Sequence, residues 1–299
     1  MKNCKSFVVI SNEIKDIDLK FAKQAGQLIT DKGCSVRFHE GINKEPADDL
    51  FEGADAVIVL GGDGTMLRVS HMLKGFSIPV IGINLGTVGF LTEAVVGEME
   101  NVIDRLISGD YQVEERMMLQ GKVNQVISGA GAKDASKDNK AEKTKNNEYI
   151  SHALNDIVLA RKSALRLITV EIYVNGNYFD TCEADGIMVS TPTGSTGYNL
   201  SAGGPIVKGD ARLMVLTPIS PFSLSRRSVI FGAEDTITMK ILKKREDALS
   251  SGLVSFDGAD TYDMEVGSSV EISVSPHTFS VIKLDNASLY EILRNKIGG

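Results

Sequence analysis

The sequence predicts an α/β domain followed by a mostly β domain, on three observations. Strand-length apolar runs alternate with helix-spaced apolar patterns through the first third of the chain. Beyond about residue 110 the helical spacing stops and short strand-like runs follow one another. Glycine-rich segments stand directly after buried strands in both halves, at Leu60–Thr65 and after Gly186–Ser190.

Each element has its own signal. Phe7–Ile10 is a short apolar run and reads as a buried strand. Phe21, Ala22, Ala25, Leu28 and Ile29 recur at helical spacing, and Gly33 stops them. Val36–Phe38 is a second strand, Ala56–Leu60 (AVIVL) a third and Pro79–Ile83 (PVIGI) a fourth. Met99, Val102, Ile103, Leu106 and Ile107 mark a further helix, ended by Gly109. Such alternation predicts a parallel sheet with helices on both faces. In the second half Val113–Ile127, Tyr149–Ala160 and Leu167–Val174 read as strands, with Asn175-Gly176 a type I′ hairpin signal. Gly186–Ser190, Arg212–Thr217, Val229–Phe231, Thr236–Leu242, Leu253–Phe256, Val270–Val274 and Phe279–Leu284 complete a sandwich or layered sheet. Ser288–Ile297 is weakly helical. Ser128–Asn147 has alanine as its one apolar type and charges of both signs, so it reads as a disordered hairpin loop.

Composition narrows the function classes. With 299 residues the chain is long enough for two cores. Its 42% hydrophobic and 24% charged residues are those of a folded globular protein. A net charge of −7 with no basic block lacks the footprint of a nucleic-acid-binding protein. Cys4, Cys34 and Cys182 form no C-x-x-C pair, which fits a reducing cytoplasm. No apolar run approaches the ~20 residues of a membrane span, and the polar Met1–Lys5 before a short apolar run does not read as a signal peptide. His39, His71, His152 and His277 are scattered, so no protein metal-ligand set is expected.

Two segments carry chemistry. Leu60–Thr65 reads LGGDGT and follows a buried strand, the place where α/β sheets build nucleotide sites. Gly61, Gly62 and Gly64 let a phosphate or ribose approach the backbone, and Thr65 completes the loop. A carboxylate at Asp63 repels phosphate unless it binds Mg²⁺ or takes a proton from a hydroxyl, both of which a kinase needs. The plain structural alternative is a glycine turn with Asp63 as a helix cap. The P-loop lysine is absent, and Gly82, Gly86 and Gly89 in GINLGTVG have the wrong spacing for a dinucleotide fingerprint. Asp185–Val207 reads DGIMVSTPTGSTGYNLSAGGPIV. Its hydroxyl-dense loop offers N–H and O–H groups to ribose and pyrophosphate, and Tyr198 offers a ring face. By composition alone this segment also fits a turn-rich β connection.

The GGDGT string resembles a signature shared by NAD kinases, diacylglycerol-type lipid kinases and phosphofructokinases. The second string resembles the longer DG-x-x-x-STPTGSTAY signature of NAD kinases of the bacterial type, with Gly197 in place of the usual alanine. Asn155-Asp156 resembles a third motif of that family, and Leu216–Ser228 and Ser255–Gly258 look like further blocks. The resemblance implies a Rossmann-like domain over 1–112, a β-sandwich-like dinucleotide-binding domain over 113–280 and a segment 281–299 returning to the first. It implies an ATP-dependent phosphotransferase acting on the adenosine 2′-hydroxyl of NAD to give NADP, with Asp63 as general base. Gly64, Asn155, Asp156, Asp185, Thr196, Gly197, Tyr198, Asn199, Leu200 and Ser201 would bind NAD, and Arg68 and Arg166 stand where the family often has a basic contact. It further implies ATP with Mg²⁺ (in some members polyphosphate) as donor, and a homodimer or homotetramer. Three departures are Phe222 for histidine, Ala259 for glutamine and Glu183 where some members carry arginine, which leaves the preference between NAD and NADH open. A lipid kinase of the same superfamily would lack the second string. A catalytically silent NAD sensor would bind without turnover.

Overall fold

A computed structural model describes residues 3–73, 75–87, 89–127, 145–163, 166–243 and 251–284. Most of the Ser128–Asn147 insert, as far as residue 144, lies outside the described residues, and so does the helix expected at Ser288–Ile297. The chain divides into two compact units, residues 1–116 with 277–299 and residues 117–276.

The first unit runs β1 (Ser6–Ser11), α1 (Lys20–Asp31), β2 (Ser35–Glu40), β3 (Ala56–Leu60), α2 (Asp63–Met72), β4 (Val80–Asn84), the short β5 (Ala94–Val95) and α3 (Met99–Ser108). β1 lies parallel between β2 and β3, and β4 follows on the far side of β3. Every residue of β3 and β4 is buried, as a strand covered on both faces must be. Phe7, Val9, Ile58, Leu60, Ile81 and Ile83 pack against Ala22, Ala25 and Ile29 of α1 and Met99, Val102, Ile103 and Leu106 of α3. Gly82 points the other way, so close to α2 that an added Cβ would lie 2.9 Å from Met66 Sδ. Gly109 caps α3 in the left-handed conformation, φ 77°, which explains why the helix ends there. The chain leaves β1 for β2 and then comes back to lay β3 on the opposite flank of β1. That reversal is the switch point of an open α/β sheet, where the outgoing loops part at the carboxyl edge. The Gly61-Gly62 turn leaves β3 at this edge.

The second unit is built from β6 (Gln112–Ile127), β7 (Lys145–Ala153), β8 (Asp156–Arg161), β9 (Ile168–Val174), β10 (Asn177–Ala184), β11 (Gly186–Ser190), the one-turn α4 (Tyr198–Ser201), β12 (Leu213–Ile219), β13 (Val229–Gly232), β14 (Ile237–Ile241), β15 (Ser251–Phe256), β16 (Asp260–Glu265) and β17 (Ser269–Lys283). β6 carries the chain into this unit and β17 carries it out. One layer has the order β10-β9-β14-β17, with β6 and β7 beyond, and the other has the order β13-β12-β11-β8-β15-β16. Their inward residues form one core, Val170, Ile172, Met239 and Ile272 from the first layer meeting Leu159, Val189, Leu216 and Phe256 from the second. This is an antiparallel β-sandwich.

Three expectations need correction. Tyr149–Ala160 is two strands, β7 and β8, because the backbone turns at Leu154-Asn155. Val270–Val274 and Phe279–Leu284 belong to a single strand, β17. β10 and β16 have no counterpart in the expected strands: both are half exposed, so their apolar alternation is weak. Asn175 (φ 52°) and Gly176 (φ 76°) do form the hairpin turn, and the strand that follows it is β10. No described helix is long and apolar enough to cross a membrane.

Candidate active site

In the first unit the residue chemistry gathers at the carboxyl edge around Asp63. Gly62 is the N-cap of α2 and Asp63 is its first residue, so Asp63 is not the cap. Its carboxylate is held from the opposite loop instead: Phe90 N–H donates to Oδ2 at 2.9 Å and Leu91 N–H to Oδ1 at 3.0 Å. Gly89 precedes these donors, and a Cβ there would fall 1.9 Å from Asp63 Oδ1. The glycine dismissed for its spacing is therefore required for close approach to the carboxylate. Phe90, Leu91 and Gly89 were missed because no sequence pattern announces backbone donors. The only hint was a second glycine-rich stretch after a buried strand.

The four small residues of the GGDGT loop have different tasks. At Gly61 a Cβ would lie 2.3 Å from Thr65 Oγ1, so this glycine makes room for Thr65 and not for a ligand. Thr65 is buried and its hydroxyl accepts from Asn12 Nδ2 at 3.2 Å. Gly64 is exposed, and a Cβ there would meet nothing within 4 Å, so its backbone is open to an approaching group. Near Gly62 stand Asn84 Nδ2 and Lys15 Nζ, 3.6 and 3.8 Å from where a Cβ would be. Arg68 is exposed on α2 and donates to Asn43 Oδ1.

In the second unit the centre is the Leu154–Asp156 turn. The Asp257 carboxylate accepts three successive N–H groups, from Leu154 (2.7 Å), Asn155 (2.8 Å) and Asp156 (3.0 Å). Asp257 (φ 51°) and Gly258 (φ 70°) also form the tight turn joining β15 to β16, so one residue makes the hairpin and cradles the turn. The hydroxyl loop is tied to the same place. Thr191 Oγ1 donates to Leu154 O at 2.6 Å, and a Cβ at Gly194 would lie 2.1 Å from Asn155 O. Gly197 sits beside the Asn155 amide, where a Cβ would be 3.3 Å from Nδ2. Two buried oxygens here, Asn155 Oδ1 and Thr193 Oγ1, have no hydrogen-bond partner among the described residues. Asp156 is buried, and its pKa is pushed up to about 7, first by desolvation and then by the Asp257 charge.

The other expected contacts are unequal. Asn199 is fully buried and its amide is engaged inside the protein: Nδ2 donates to Ser195 O and Pro205 O, and Oδ1 accepts from Thr217. It builds the loop and presents no group outward. Tyr198 is 47% exposed, while Thr196, Gly197 and Leu200 are partly exposed and Ser201 is open. Asp185 forms an ion pair with Arg161, Nε to Oδ1 2.7 Å, a partner not anticipated from sequence. Arg166 is exposed in the segment before β9. Arg226 pairs with Asp180 and donates to Thr181 O, so its charge is engaged. Among the described residues no group of three or more His, Cys, Asp and Glu side chains is placed to hold a metal ion.

Comparison with known proteins agrees with this architecture. The ATP-NAD kinase N-terminal domain matches residues 7–111 and the ATP-NAD kinase C-terminal domain residues 154–284. An NAD kinase of Agathobacter rectalis is 36% identical over 300 residues, covering 98% of this chain and 99% of that one. One of Lachnospira eligens is 34% identical over 313 residues, covering 98% and 100%. Among solved structures, an NAD kinase from Archaeoglobus fulgidus in complex with ATP superposes with a TM-score of 0.72 at 25% identity, covering 98% of this chain and 97% of that one. A yeast NADH kinase complexed with NADH gives 0.81 at 23% identity, covering 99% and 88%, a likeness of fold.

Proposed function

The chain belongs to the ATP-NAD kinase family, and from that premise we infer that Asp63 is the general base of an ATP-dependent phosphoryl transfer to the adenosine 2′-hydroxyl of NAD. The observation that carries this reading is the fixed carboxylate. Asp63 stands at the switch point of the sheet, its two oxygens each anchored by one backbone amide. A carboxylate so held accepts the hydroxyl proton as the oxygen attacks the γ-phosphorus in line. Gly61, Gly62, Gly64 and Thr65 keep the backbone around it tight and the approach at Gly64 open.

In the second unit the reading assigns the dinucleotide to Asn155, Asp156, Asp185, Thr196, Gly197, Tyr198, Leu200 and Ser201, with Asn199 holding their loop from within. Asn155 Oδ1 supplies an acceptor, and the Asp156 carboxyl, whose pKa burial raises, supplies an acceptor or, when protonated, a donor, suited to the amino and hydroxyl groups of adenosine. Arg68 and Arg166 are assigned as basic contacts. Mg²⁺ would be held through the phosphates of ATP, where it would neutralise charge on the transferring phosphoryl group. The reading takes ATP as the donor, as some family members take polyphosphate, and places the enzyme in the cytoplasm as a homodimer or homotetramer.

The decisive assay is NADP formation from NAD, ATP and Mg²⁺. Asp63→Asn is expected to keep the fold and NAD binding and to lose turnover by roughly 10²–10⁴-fold, the usual contribution of a positioned base. Undiminished turnover in that variant overturns the assignment. NAD binding by the wild type without NADP formation marks a silent sensor.

A further inference from the structure

We propose that Thr92 and Gly89 are positioning residues for the reaction, acting on Asp63 through the loop between them. The inference rests on Asp63 being the base. Its starting point is that Asp63 owes its orientation to two amides, Phe90 N–H and Leu91 N–H, that belong to a loop and to no helix or strand. Loop amides hold a direction only if the loop is itself fixed.

Thr92 fixes it. The side chain is 2% exposed, and its Oγ1 accepts the Gly89 N–H at 2.6 Å, closing the three-residue step from Gly89 to Thr92 into a ring. The same oxygen accepts Asn84 Nδ2 at 3.4 Å, and Asn84 Oδ1 accepts Gly86 N–H at 2.9 Å, so both ends of the loop are tied to the last residue of β4. Glu93 N–H donates to Gly82 O at 2.8 Å, which anchors Thr92 from its other side. The ring turns the Phe90 and Leu91 amides toward one point, and the Asp63 carboxylate occupies it. Gly89 is the complementary requirement, since a Cβ there would overlap Asp63 Oδ1 at 1.9 Å.

The consequence concerns geometry and not affinity. The two amides that the ring fixes hold the Asp63 carboxylate, so loosening the ring is expected to let the carboxylate rotate away from the attacking hydroxyl while NAD still binds. A displacement of about 1 Å at a reacting group costs on the order of 10²-fold in rate. Threonine fits because its hydroxyl is the acceptor. Valine keeps the shape and removes it, serine keeps it and removes a methyl.

The test measures kcat, KM for NAD and melting temperature for wild type, Thr92→Val, Thr92→Ser, Gly89→Ala and Asp63→Asn. Thr92→Val and Gly89→Ala are expected to lose roughly 10²-fold in kcat with KM within about twofold of wild type. Thr92→Ser is expected to return kcat to within about threefold. Gly89→Ala gives the decision if Thr92→Val does not fold. Wild-type kcat in Thr92→Val and Gly89→Ala, beside an inactive Asp63→Asn, overturns the positioning role and leaves the base standing. So does a loss in which KM and melting temperature move with kcat and serine does not rescue. An active Asp63→Asn overturns both readings together.

Discussion

Asp156 is a carboxyl group whose ionisation the fold shifts toward neutral pH. It is 6% exposed, in the first position of β8, and its pKa of about 7 reflects burial first and the Asp257 charge second. In the unfolded chain it releases its proton near the ordinary value of about 4. The folded state thus binds the proton more tightly across the range from there to about 7, and its stability falls as pH rises through that window, by at most about 1.4 kcal/mol per pH unit. Asp156→Asn removes the titration and keeps the shape. Melting curves between about pH 5 and about pH 8 are expected to show the variant gaining on the wild type as pH rises. Parallel curves refute a buried, proton-holding Asp156.

At the scale of elements, the Asp257 cradle decides how β7, β8, β15 and β16 meet. Asp257→Ala leaves the Leu154, Asn155 and Asp156 amides without their acceptor, each at about 1–3 kcal/mol if buried, and puts alanine at a positive φ. Asp257→Asn keeps one oxygen, enough for the two amides that share Oδ1, and asparagine tolerates the left-handed region. Urea unfolding is expected to place the asparagine variant between wild type and alanine, with alanine lower by several kcal/mol; equal midpoints for the two variants refute the cradle. This region also marks where the sequence stopped being legible. The periodic elements of the first unit were readable, because two-face burial writes continuous apolar runs and helix spacing. The segment from Tyr149 to Ala160 reads as one apolar stretch, and the break at Leu154-Asn155 is imposed by a side chain about a hundred residues later, which spacing does not encode. The Asp257-Gly258 pair is a strong hairpin signal in its own right, but β16 behind it is too exposed to show alternation. The site divides in the same way. Motif residues such as Asp63 and Asn155 stand out by their strings, whereas the amides of Phe90 and Leu91 and the partners Arg161 and Asp257 depend on tertiary proximity.

Across the whole molecule, the proposed base Asp63 belongs to the first compact unit with the proposed contacts Gly64 and Arg68, and the proposed contacts from Asn155 to Ser201 belong to the second. A ligand that binds the folded chain alone stabilises it by about 2.7 kcal/mol at a hundredfold excess over its Kd. For a chain of this size such a gain moves the melting temperature by several degrees. NAD is therefore expected to raise the melting temperature of wild type and of Asp63→Asn alike, since Asp63 is proposed to act in the transition state and is not assigned to hold the ground-state dinucleotide. Asp156→Asn, altered among the proposed binding residues, is expected to show a smaller NAD shift at equal ligand concentration. Differential scanning calorimetry with and without NAD checks both statements. An Asp63→Asn protein that no longer responds to NAD would mean that the carboxylate holds the substrate as well as its proton, and loss of turnover in that variant would then measure binding and catalysis together.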